Sequence, residues 1–90
     1  MTSFPQNLKT LRTSHGYSLK ELSDRLNERS DVKFSKASID RWEKGLTSPS
    51  MSHASVLAQF FNVTLDELSG LEEMREQQPQ TIAEHLNREL

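Results

Sequence analysis

Ser35-Lys36-Ala37-Ser38-Ile39-Asp40-Arg41-Trp42-Glu43-Lys44-Gly45 is the stretch on which the fold turns. Ser35 suits an N-cap, because its hydroxyl can accept an N–H that the first helical turn leaves unpaired. Gly45 suits a stop, because glycine enters the left-handed conformation past a helix without a steric penalty. A helix over 36–44 puts Ile39 and Trp42 on one side, three residues apart. Lys36, Ala37, Asp40, Arg41 and Lys44 then point the other way. A helix this short is marginal alone and needs neighbours to cover its apolar stripe.

Those neighbours lie on both sides in sequence. Upstream, Ser18-Leu19-Lys20-Glu21 has the form of a capping box, and Leu19, Leu22 and Leu26 follow at helical spacing. That helix ends between Asn27 and Arg29. Before it, Pro5 to Ser14 reads as a helix with Leu8 and Leu11 on one face, led in by Phe4 and stopped at His15-Gly16. Downstream, Pro49 is expected to open a fourth helix running to Phe61. Its apolar stripe is Ala54, Leu57, Ala58 and Phe61, with Val56 and Phe60 on an adjacent flank and Asn62 as a left-handed stop. Thr64-Leu65-Asp66-Glu67 is a second capping box, starting a short fifth helix through Leu68 that Gly70 ends. No alternating β-branched run suggests a strand. The expected fold is all-α, a five-helix bundle of roughly 65 residues.

Ninety residues leave room for one domain. Apolar residues are 33% of the chain and mean hydropathy is −0.71, so one small core is expected, with part of the chain outside it. Residues 71–80 are rich in Glu and Gln and read as a linker. Residues 81–90 read as a C-terminal helical segment, with a capping-box match at Thr81 to Glu84 and a thin stripe of Ile82, Leu86 and Leu90. The domain would then span 1–70. The absence of Cys excludes disulfides, thiolate zinc sites and cysteine nucleophiles. No run of about 18 apolar residues is present, and the start lacks the charged and apolar regions of a signal peptide, so a soluble, cytoplasmic protein is expected. His15, His53 and His85 show no ligand spacing, and surface or capping roles are expected rather than a metal. No phosphate-cradling glycine loop or paired nucleophile and base appears, so neither a cofactor nor catalysis is expected.

The net charge of −2 hides an asymmetry. Residues 1–64 carry nine Lys/Arg and six Asp/Glu, a net of +3, and residues 65–90 carry two Arg and seven acids, a net of −5. A mildly basic domain followed by an acidic tail fits the pattern.

Leu8-Lys9-Thr10-Leu11-Arg12, Gly16-Tyr17-Ser18, Glu21-Leu22-Ser23, Ser38 to Gly45, Pro49-Ser50 and Leu57 to Leu68 occur in that order over residues 5–69. Together they resemble the Xre-type helix-turn-helix family, the lambda-repressor-like and Cro-like DNA-binding domains. The resemblance implies that the second and third helices form the helix-turn-helix and that Lys36 to Lys44 is the recognition helix. Lys36 and Ala37 match the family's positions that reach base edges in the major groove, and Arg41 matches a third. Arginine suits that role through its bidentate fit to guanine O6 and N7. Ser35 and Asp40 are expected among the DNA-binding residues too, and Ser38 has a hydroxyl for a phosphate or a base. Lys44 and Thr47 lie where the family touches the DNA backbone. Arg12 and Glu43 match positions that form an ion pair tying the first helix to the third.

The sequence departs from the family in two places. The interval from Asn27 to Ser35 is longer by about six residues than the common turn. Phe34 stands where the family has a small apolar residue, and Arg29 and Lys33 become candidates for phosphate contacts. Leu19 replaces a glutamine that commonly contacts the backbone, with Lys20 as a substitute.

The resemblance implies a sequence-specific DNA-binding regulator, expected to be a repressor that binds double-stranded operator DNA as a homodimer and is nucleoid-associated. Val56 and Phe60 serve either the core beneath the tail or a subunit interface, to which Ile82 and Leu86 would contribute. Thr81 to Leu86 also resembles the stretch after the DNA-binding domain in prophage repressors of Gram-positive bacteria, which implies a longer chain. The rival expectation is an antitoxin, with the same domain on DNA and the acidic C-terminal region on a protein partner.

Overall fold

The computed structural model describes residues 3–71, which form five helices: α1 Phe4–Ser14, α2 Leu19–Arg29, α3 Lys36–Glu43, α4 Met51–Phe61 and α5 Leu65–Ser69. The all-α expectation holds, with no strand among the described residues. Residues 72–90 lie outside them, so the expected 81–90 helix and the Ile82/Leu86/Leu90 stripe do too.

Local chemistry explains most boundaries. Ser18, Ser35, Ser50 and Thr64 each accept the N–H three residues on, and Ser18–Glu21 and Thr64–Glu67 are complete capping boxes. At the C-termini, α1 and α3 close with paired 6→1 and 5→2 bonds across Gly16 and Gly45. Asn62 closes α4 the same way at φ 56, a conformation asparagine tolerates better than most side chains.

One start differs from expectation. Pro49 does not open α4; Ser50 is extended (φ −67, ψ 166), caps the His53 N–H, and the helix begins at Met51. The serine hydroxyl supplies a hydrogen bond that the proline could not, so the boundary falls after it. The start of α1 and the ends of α3 and α5 shift by one residue, within ordinary fraying.

The core is one cluster. Leu8 and Leu11 of α1, Leu22 and Leu26 of α2, Ile39 and Trp42 of α3, and Leu57, Ala58 and Phe61 of α4 are buried together with Phe34 and Leu68. Burying each such large side chain contributes about 1.5–3 kcal/mol. Helix α3 packs on both α1 and α2, and α1 also packs on α5. A polar tie fixes the second contact. Fully buried Asn7 donates its Nδ2–H groups to the Glu67 and Leu68 carbonyls at 3.1 and 3.2 Å. The Glu67 carbonyl, which also takes the Gly70 N–H at 3.3 Å, and the Leu68 carbonyl are thus tied to α1 at the end of α5.

Candidate nucleic-acid interface

Helix α3 is anchored through its inner face. Ile39 is fully buried and Trp42 is 5% exposed, edge-on to Phe34 with ring centroids 6.0 Å apart. The next residue, Glu43, accepts two bonds from Arg12 of α1, Nε to Oε2 at 2.6 Å and Nη2 to Oε1 at 2.9 Å. The third guanidinium nitrogen, Nη1, donates to the Tyr17 carbonyl at 2.9 Å. The Arg12 side chain is 14% exposed and that of Glu43 6%. The bond to Glu43 raises the Arg12 pKa, partly opposed by burial and aided by the charges of Glu43 and Asp40. A planar fork against a carboxylate fixes angle as well as distance, so the pair sets how α3 lies on α1.

The outer face is free. Lys36, Ala37 and Arg41 are exposed, and among the described residues the Lys36 and Arg41 side chains have no hydrogen-bond or ion-pair partner. Thr47 is exposed just past the helix. Ser35 and Ser38 are engaged with each other at the cap. The Ser35 hydroxyl accepts the Ser38 N–H at 3.1 Å and bonds the Ser38 hydroxyl at 2.9 Å. Asp40 is occupied by Lys44 at 3.0 Å, an exposed pair one turn apart. Lys20 lies on α2, held by Asp24 at 2.8 Å. That bond, with the charge of Asp24, raises the Lys20 pKa.

The long α2–α3 connection is held by side chains. Asn27 takes the Phe34 N–H on Oδ1 at 2.7 Å and donates Nδ2–H to the Phe34 carbonyl at 2.9 Å, mimicking a strand partner. Phe34 is thereby pinned and buried, Val32 packs half-buried against the same core, and α2 and α3 stay in contact across the long connection. From α4, His53 Nε2 lies 2.8 Å from the Lys33 carbonyl and Nδ1 lies 2.6 Å from the Ser50 hydroxyl. A carbonyl only accepts, so Nε2 carries a proton. The His53 ring stands edge-on to Phe34 at 4.9 Å and to Trp42 at 5.4 Å. Lys33 itself is exposed.

Sequence reasoning did not assign Asn27 or His53 to this region. Neither belongs to a spacing motif; their partners are backbone atoms seven and twenty residues away. Val56 and Phe60 lie elsewhere, half-buried against the core. Phe60 meets Phe61 and Tyr17 at 5.0 and 6.1 Å, with the Arg29 guanidinium 5.5 Å above its ring. Arg29 is thus stacked beside α4 rather than beside α3.

A core-anchored third helix with an open cationic face, packed on a capped second helix, coincides with a known sequence pattern. The pattern that defines the helix-turn-helix family matches residues 8–68. The chain belongs to the Xre-type helix-turn-helix family. The matched span opens at Leu8 and closes at Leu68, the first and last apolar core residues of the bundle. This helix-turn-helix chain is also similar to the HTH-type transcriptional activator BcrR of Enterococcus faecalis, 33% identical over 85 residues. That alignment covers 94% of the helix-turn-helix chain and 36% of the relative, so the chain spans about a third of the relative's length. No described helix is long and apolar enough to cross a membrane.

Proposed function

We propose that this chain is the DNA-binding part of a transcription regulator, reading an operator in the major groove through α3. The observation that carries this is the division of α3 into an anchored inner face and an open outer one. An α-helix with its side chains is about 10–12 Å across, which fits a major groove about 12 Å wide, and the eight residues of α3 give it about two turns to lay there. On this reading Lys36, Ala37 and Arg41 meet base edges. Ser38 meets a base or phosphate, and Lys33, Lys44 and Thr47 meet the backbone. The paired carboxylate of Asp40 limits repulsion at the same surface. Lys20, already held by Asp24, makes at most a partial replacement for the glutamine that Leu19 displaces.

A single module of this size buries about 600–1,000 Å² on DNA, which favours two copies on a palindromic site. We therefore propose a homodimer with half-sites about 34 Å apart. The related protein's name makes it an activator. Operator binding through α3 is common to repression and activation, and the position of the site relative to a promoter sets the sign. Enrichment of bound duplexes from a random pool tests the reading, and a palindromic motif is the expected result. Recovery of no motif would overturn it. Sedimentation of the complex tests the dimer, which a strict one-to-one complex on a palindromic duplex would exclude. Phe60→Ala distinguishes its two roles. Loss of stability alone assigns the ring to the monomer core, whereas weakened self-association assigns it to the interface.

A further inference from the structure

We infer that His53, on α4 and outside the helix-turn-helix pair, is a positioning residue for DNA binding. Its hydrogen bond to the Lys33 carbonyl fixes the arm before α3, and so holds the Lys33 ammonium against a backbone phosphate. The inference rests on the DNA-binding reading above and adds a residue that does not touch DNA.

The arm needs holding because it is long. A free connection between Arg29 and Ser35 would spread Lys33 over many positions, and ordering it carries a backbone-entropy cost for each residue. Two side chains from different helices hold it instead. Asn27 of α2 grips both backbone polar groups of Phe34, and His53 of α4 grips the carbonyl of Lys33. Beneath them Phe34 is buried. With the backbone of Lys33 and Phe34 held from two sides, the Lys33 side chain is left exposed and unpartnered among the described residues. It stands three residues before Lys36, at the N-terminal end of α3, the end that enters the groove in this class of domain. A cation there lies beside the phosphates flanking the groove. His53 is not itself available as a contact, because its two ring nitrogens are occupied by Lys33 and Ser50.

The ring also packs on Phe34 and Trp42, so the experiment must separate packing from hydrogen bonding. His53→Phe keeps an aromatic ring and removes the donor; His53→Gln keeps a donor and removes the ring. Anisotropy on a duplex enriched from a random pool, repeated across salt concentrations, reads affinity and the number of phosphates engaged. The expected result for His53→Phe is a nearly unchanged thermal midpoint and an affinity about three- to tenfold weaker, with a salt slope smaller by about 0.9, one phosphate's worth. Lys33→Ala should do the same, and adding it to His53→Phe should change nothing further. In His53→Gln, Lys33→Ala should regain its effect. Wild-type binding by His53→Phe, or multiplying effects in the double variant, would overturn the inference. So would a Lys33 effect that is also absent from His53→Gln, which would assign the arm to ring packing. Absence of salt-dependent duplex binding by the unsubstituted chain would instead remove the DNA-binding reading beneath it.

Discussion

On the inner face of α3, Glu43 lies beneath the Arg12 fork and Trp42 sits 5% exposed in the core. On its outer face, Lys44 meets Asp40 with side chains 63% and 39% exposed, and Arg41 stands alone in solvent. Both faces carry an ion pair, yet the pairs act differently. The buried one is bidentate, links two helices and has little water to screen it. Breaking one half leaves a nearly buried charge, which is the expensive outcome. The other lies within a single helix and is largely open to solvent, where such pairs contribute little. On the proposed reading, in which α3 enters the DNA groove, the helix needs both arrangements. Its orientation must be fixed from behind, and its front must keep its charges free for a partner not yet present.

Substitutions can break that contrast at successive depths. Trp42→Ala should have the largest effect, a loss of about 3–5 kcal/mol, seen calorimetrically as a steep fall in the unfolding midpoint or loss of a cooperative transition. A fall of only a degree or two would show that α3 is not anchored through its inner face. Arg12→Ala should follow at about 2–3 kcal/mol, below the value for a fully buried pair because the Arg12 edge touches water. In a double-mutant cycle with Glu43→Ala, the combined loss should fall short of the sum; simple additivity would make the two charges independent. Arg41→Ala should leave the unfolding midpoint unchanged, weaken specific binding by about 1–3 kcal/mol and relax preference at one base pair per half-site. An unaltered base-preference profile would remove Arg41 from readout. Lys44→Ala should cost no more than about 0.5 kcal/mol of stability, while lowering the salt slope of DNA binding by about one. A large change in stability there would erase the distinction between the two ion pairs.

The sequence by itself determined the helices and the direction each one faces, because caps, glycine stops and helical apolar spacing are local. Ser18, Ser35 and Thr64 start helices where the chain predicts, and Ile39 and Trp42 turn inward together. The outward set Lys36, Ala37 and Arg41 follows from the same periodicity. Pro49 misled for a local reason too, since a better cap stood one residue further on. The family pattern made Arg12 and Glu43 legible as partners, but not their twofold bonding or its seal beneath the Tyr17 carbonyl. What only the tertiary structure decided lies wherever a side chain serves a backbone atom far along the chain. Asn7 on the end of α5, Asn27 astride Phe34 and His53 on the Lys33 carbonyl leave no periodic trace. Any peptide group can be their partner, and only packing the helices against one another selects which one is.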